Sequence, residues 1–175
     1  MAAETLPTPR FDLWCPAMEA GLLPLPRLVA WADEQILRLD EPPLWMIELS
    51  LATDEAGLRR ARARVPEASA SVAGRSLHES RVYLGCLYLA FERGLLTMAR
   101  LLHEAGDFTD PPSGDVPGCE TFYLLLNEID GRGPTRRGKG PVGDRVRDLF
   151  APMAREARAA LAELPREMGV EPGSQ

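Results

Sequence analysis

Apolar residues recur every three or four positions along most of this chain, and proline and glycine gather in the intervals between. The clearest run lies in Ala20–Ala52. After Leu25, the positions Leu28, Val29, Ala32, Ile36 and Leu39 fall at helical spacing. Such spacing stacks side chains on one face of a 3.6-residue helix. Arg27, Asp33, Glu34 and Arg38 take the opposite side, and Pro24 and Pro26 suit a first turn, where a missing N–H costs little. Asp40 is a candidate N-cap for a second helix opened by Pro42 and Pro43. There Leu44, Ile47 and Leu51 make a second stripe, widened by Trp45, Met46 and Leu49, which predicts a helix touched on several sides. Leu28 and Ile47 are both expected in the core. The alternation Ile47-Glu48-Leu49-Ser50-Leu51 also fits a half-buried strand, with the helix preferred.

The same pattern reading orders the rest of the chain. Residues 1–10 form an arm without periodicity, and a short helix is expected within Phe11–Ala20, beginning near Pro16. Thr53 or Asp54 can cap a helix through Arg64, with Arg59, Arg60, Arg62 and Arg64 on its solvated side. Pro66–Arg75 reads as a loop, and Leu77–Phe91 as an apolar helix with Gly94 at its C-cap. Leu95–Ala105 follows as a further helix ending at Gly106. After a loop at 107–118 come the apolar element Thr121–Ile129 and the glycine-rich stretch Gly131–Gly143. A last helix, capped by Asp144, is expected to reach Leu164 with a kink at Pro152. The expected organisation is one helical domain over 11–165, with a flexible tail at 166–175.

Part of the pattern occurs twice. Glu19–Val29 aligns with Glu92–Leu102 through a shared Glu, Gly-Leu-Leu and Arg-Leu. Each copy leads to an acidic residue with Pro-Pro (Glu41-Pro42-Pro43; Asp110-Pro111-Pro112), then to an apolar segment holding Glu48 or Glu128. Two related units, within 11–52 and 82–130, would bury on each other the faces that neither covers alone. The predicted fold is all-α, a helical bundle or short stack closed by the C-terminal helix.

Composition agrees with that class and narrows the function. Alanine and leucine carry much of the 45% hydrophobic content and aromatics are only 6%, which favours helices over sheets. A net charge of −6 argues against a nucleic-acid binder, whose footprint is basic. The three cysteines, Cys15, Cys86 and Cys119, lie far apart, so neither a disulfide framework nor a metal knuckle is indicated. The first residues do not read as a secretory signal, and no uncharged apolar run is long enough to span a bilayer. A soluble cytoplasmic protein, without membrane attachment, is expected.

Candidate chemistry is sparse. His78-Glu79 and His103-Glu104 lack the second histidine of a zinc-protease helix. Gly133–Lys139 approaches a phosphate-binding loop, but Gly140 stands where the hydroxyl residue is needed. No catalytic residue, metal or cofactor is assigned. Glu48 and Glu128 sit in apolar segments, where a carboxylate needs a partner such as Arg27, Arg81 or Arg100. A structural ion pair is the favoured reading, and an enzyme using these carboxylates in a groove between the two units is the alternative. Trp31, Asp33 and Glu34 lie off the Leu28–Ala32–Ile36 stripe and have the composition of an interface anchor with a charged surround, the alternative being Trp31 packed against a neighbouring helix. Arg136, Arg137 and Lys139 form a basic loop suited to an acidic partner.

The segments GLLPLPRLVAWADEQI, DEPPLWMIELSLA and LLNEIDGRGP together resemble small all-helical bacterial proteins with no assigned activity, some of which resemble the immunity proteins of bacterial toxin systems. The resemblance covers about half of the chain, on apolar helix faces with acidic flanks. It implies a cytosolic protein that works by binding another protein, with an acidic surface suited to masking a basic toxin. It carries over no functional residue, and it names neither the partner nor the oligomeric state.

Overall fold

A computed structural model of the chain describes residues 10–65, 77–110, 116–130 and 140–164. The fold is all-α: 75% of the described residues are helical, in eight helices, and among them there is no strand. The helices are α1 (Phe11–Glu19), α2 (Leu25–Ile36), α3 (Leu44–Ser50), α4 (Glu55–Ala63), α5 (Leu77–Glu92), α6 (Met98–Phe108), α7 (Cys119–Asp130) and α8 (Pro141–Ala162). Their contacts divide the chain into two compact units, α1–α4 with Glu163 and Leu164 in one and α5–α8 in the other.

In the first unit α3 packs on α2 and on α4, and α1 also reaches α4. Its core is aromatic. Trp14 meets Phe11 at 5.0 Å and Trp31 at 5.1 Å, both edge to face, while Trp31 and Trp45 stack at 6.4 Å. Edge-to-face and offset pairs of this kind add to the stabilisation from buried area. Among the described residues the buried indole N–H of Trp14 finds no acceptor, a polar cost inside this cluster. Asp54 caps α4 as its sequence position predicts, its Oδ1 accepting the Gly57 N–H at 2.8 Å. α1 starts at Phe11 and carries Pro16 in its interior, ahead of the start expected near Pro16.

In the second unit α5 packs on α8 and α6, and α7 packs on α6 and α8. Gly85 sets the closeness of α5 and α8. A Cβ there would lie 2.2 Å from the Met153 carbonyl oxygen, so only glycine fits. α8 runs unbroken from Pro141, ahead of the expected cap at Asp144, and contains Pro152. Gly106 does not end α6. It lies inside the helix, where the Tyr123 ring lies against it and leaves no room for a Cβ. Arg81 grips Glu156 from α5 to α8, with Nε 2.9 Å from both carboxylate oxygens and Nη2 2.6 Å from Oε1.

The aligned stretches Glu19–Val29 and Glu92–Leu102 follow the same course. Each first helix ends at a glycine in the left-handed region, Gly21 at φ 73° and Gly94 at φ 75°. The bonds around each glycine also match. Gly21 N–H donates to Met18 O and Leu22 N–H to Ala17 O, as Gly94 does to Phe91 O and Leu95 to Ala90 O. This is the Schellman ending, which needs a residue able to take positive φ. The next helix starts at Leu25 in one unit and Met98 in the other, and Leu28 and Leu101 are both fully buried. Beyond this point the units differ: α3 has 7 residues where α7 has 12, and α4 has 9 where α8 has 22.

Candidate functional site

Pro42 and Pro43 stop the chain from continuing α2, and Pro43, extended at ψ 148°, is the N-cap of α3. Seven residues make two turns, on which two apolar arcs compete for the core. One holds Trp45, Met46 and Leu49, the other Leu44, Ile47 and Leu51. The first arc is buried, and Trp45 closes the aromatic cluster. Burying the largest ring removes the most apolar area from water, so that arc determines the rotation of the helix. The second arc consequently faces out, with Leu44 54%, Ile47 37% and Leu51 69% exposed. This corrects the expectation that Ile47 lies in the core. Leu37, just past the end of α2, is 87% exposed.

Exposed carboxylates occur on the segments that lead into α3. Asp33 and Glu34 are exposed on α2, and Asp40 and Glu41 in the joint that follows. Ser50, next to Leu51, donates its Oγ–H to Asp33 Oδ1 at 2.6 Å, which fixes one carboxylate beside the end of α3. Glu48 Oε1 lies 3.6 Å from Nε of Arg64, the C-cap of α4. Cations neighbour α3 as well: Arg38 is exposed past the end of α2, Arg59 and Arg60 are exposed on α4, and Arg64 reaches Glu48.

The other residues expected to matter fall into three groups. Trp31 is only 6% exposed and packed among Trp14 and Trp45, so the reading of it as an exposed anchor is corrected. A ring that large on α2 is taken up by its aromatic neighbours, although it stands off the aliphatic stripe. Arg136, Arg137 and Lys139 lie outside the described residues. Glu48 and Glu128 are paired, but with arginines other than those expected and at half-exposed positions. Arg64 serves Glu48, and Arg145 Nη1 lies 2.8 Å from both oxygens of Glu128. Each of these pairs closes within its own unit. Of the expected partners, Arg81 holds Glu156 and Arg100 holds Glu104.

A second cluster lines an open groove of about 610 Å³ formed by α6 and Leu126 of α7. Two i,i+4 pairs run along it: Arg100–Glu104 at 2.6 Å and His103 Nδ1–Asp107 Oδ2 at 3.1 Å. Beside it, Tyr123 donates its phenolic hydrogen to Asp107 Oδ1 at 2.5 Å, a bond that pushes the phenol up to about 12. This arrangement orients an imidazole at the surface. The only hydroxyl among the lining residues belongs to Thr97, whose Oγ1 already accepts the Arg100 N–H as the cap of α6. Cys86 is enclosed in α5, and burial pushes its thiol up to about 12, which keeps it neutral and inert near pH 7. Among the described residues no group of three or more His, Cys, Asp or Glu is placed to hold a metal ion, and no helix is long and apolar enough to cross a membrane.

No protein-family model, curated protein or solved structure matches this chain.

Proposed function

We propose that the protein acts by binding another protein, and that the outward face of α3 is where it does so. One observation carries the reading: a row of three outward apolar side chains along a short helix and its C-cap, with Leu37 past the preceding helix end and exposed Asp33, Glu34, Asp40 and Glu41 on the segments before it. Large apolar side chains clustered in water are unfavourable unless something covers them, and apolar centres with polar rims are the usual composition of interfaces. Exposed Asp33 and Glu34 belong to the proposed surround, and Trp31 stacks on Trp45 of the inward arc of α3. Neutralisation of a toxin, the role implied by the immunity-protein resemblance, would use such a face, and the net charge of −6 suits a basic target.

The test is photo-crosslinking in the source cells, with a photoreactive amino acid placed at Ile47 or Leu51 and, as the control, at exposed Arg155 of the other unit. The expected result is a discrete protein adduct from positions 47 and 51 and none from 155. No adduct from either α3 position, or the same adducts from all three, would remove α3 as the binding face.

A further inference from the structure

We propose that His103 is the nucleophile of a small acyl-transfer site in the groove along α6, an activity that belongs to the second unit and does not depend on the α3 face. The argument begins with the imidazole. His103 Nδ1 lies 3.1 Å from Asp107 Oδ2, one turn further along the helix. A ring nitrogen that close to a carboxylate oxygen carries the proton, which leaves the lone pair on Nε2. Both side chains line the groove of about 610 Å³, a volume within the range of small-molecule sites.

Asp107 is itself held from a second helix. Its other oxygen accepts the Tyr123 hydroxyl at 2.5 Å, and the Tyr123 ring rests against Gly106, where a Cβ would lie 2.8 Å from it. Tyr123 of α7 thus orients Asp107, and Asp107 orients His103, which a solitary pair on one helix does not achieve. A carboxylate fixed on Nδ1 also stabilises the positive ring that forms when Nε2 attacks a carbonyl carbon.

The lining selects the substrate. Its charged groups besides His103 are Arg100, Glu104 and Asp107, with Ala99 and Leu126 as apolar wall. Arg100 directs Nε and Nη2 to Glu104 Oε1, each at 2.6 Å, and Asp107 is shared by His103 and Tyr123. Charges matched in this way suit a neutral acyl compound. The Tyr123 proton is bound to Asp107 and the phenol is pushed up to about 12, so it is a poor acid for a departing group. The leaving group must therefore depart as a stable anion, which restricts the substrate to aryl esters and thioesters. Nε2 bonds to the acyl carbon, and the bond to the leaving group breaks with its electron pair. Water then adds to the acyl carbon, the bond to Nε2 breaks, and the ring regains its lone pair. The products are the leaving-group anion, a carboxylate and two protons passed to solvent.

The experiment follows hydrolysis of para-nitrophenyl acetate by the full chain, with N-acetylhistidine as the reference. Per imidazole, the protein should be faster by at least about tenfold. It should also release a burst of nitrophenolate and carry a transient acetyl group on His103 in acid-quenched mass spectra. The chain has 2 histidines, so His78 is the internal control. His103→Gln should lose the burst, and His78→Gln, at an exposed position of α5, should keep it. The side chains of His103 and Asp107 are 59% and 56% exposed, so their variants should fold as the parent does. Asp107→Asn should lower kcat several-fold with KM near the parent's, and nitrogen NMR should show His103 losing its preference for the proton on Nδ1. Equal rates for the parent and His103→Gln, or a rate no greater than that of N-acetylhistidine, overturns the proposal. So does an acetyl group found on His78 instead of His103, or Asp107→Asn that leaves both kcat and the His103 tautomer unchanged.

Discussion

Tryptophan 31 shows how a single residue changes meaning between the sequence and the folded chain. Flanked by Ala32, Asp33 and Glu34 and set off the aliphatic stripe, it reads as a surface anchor. In the fold its ring meets Trp14 at 5.1 Å and stacks with Trp45. Removing it would leave a cavity at the centre of the aromatic cluster. Trp31→Ala is therefore expected to destabilise the protein by about 3–5 kcal/mol, read as a lowered urea midpoint. A midpoint within experimental error of the parent's would show that the cluster does not hold the first unit together. Asp33 and Glu34, two and three residues on, remain exposed, so a helical face changes character within a fraction of a turn.

At the scale of one element, α3 is determined by its inward arc. Leu49 and Met46 are fully buried, while Ile47 between them points out. Leu49→Ala should cost about 2–5 kcal/mol, and Ile47→Ala less than about 0.5 kcal/mol, both from urea unfolding. A comparable loss from the two substitutions would mean that something covers Ile47 in the free protein. That outcome would also weaken the case for α3 as a docking face. Apolar residues kept at 44, 47 and 51 without a packing role are what gives that case its weight.

The chain carries a net charge of −6, and several of the described ion pairs join two helices of one unit. Arg81 binds Glu156 through three short contacts across α5 and α8. The hydrogen bond from Arg81 holds the Glu156 carboxyl below its ordinary value, against the opposing effect of burial. A depressed carboxylate stabilises the fold above the unfolded-state value and loses that contribution as pH falls through the folded one. Arg81→Gln should thus lower the thermal midpoint at pH 7, with the gap from the parent closing on acidification below about pH 4. A gap of equal size at low pH would assign the effect of Arg81 to packing. The Arg158–Glu92 and Arg145–Glu128 pairs are more exposed, and such surface pairs contribute less.

The sequence by itself determined the helical class, the order of the helices and several of their ends. Gly21 and Gly94 mark the two Schellman turns, Asp54 caps α4, and Pro42-Pro43 separates α2 from α3. Leu28 is buried as its stripe predicts. These features are legible because capping, φ preference and apolar period act within about four residues of chain. Rotation of a helix about its axis is decided elsewhere, by which distant side chains compete for the same space. On α3 both arcs are apolar, so local pattern left the choice open, and Trp45, meeting Phe11 of α1 and Trp31 of α2, decided it. The partners of Glu48 and Glu128 were hidden for the same reason. Arg64 lies 16 residues from Glu48 and Arg145 lies 17 from Glu128, and only the packing of α3 on α4 and of α7 on α8 brings each pair together.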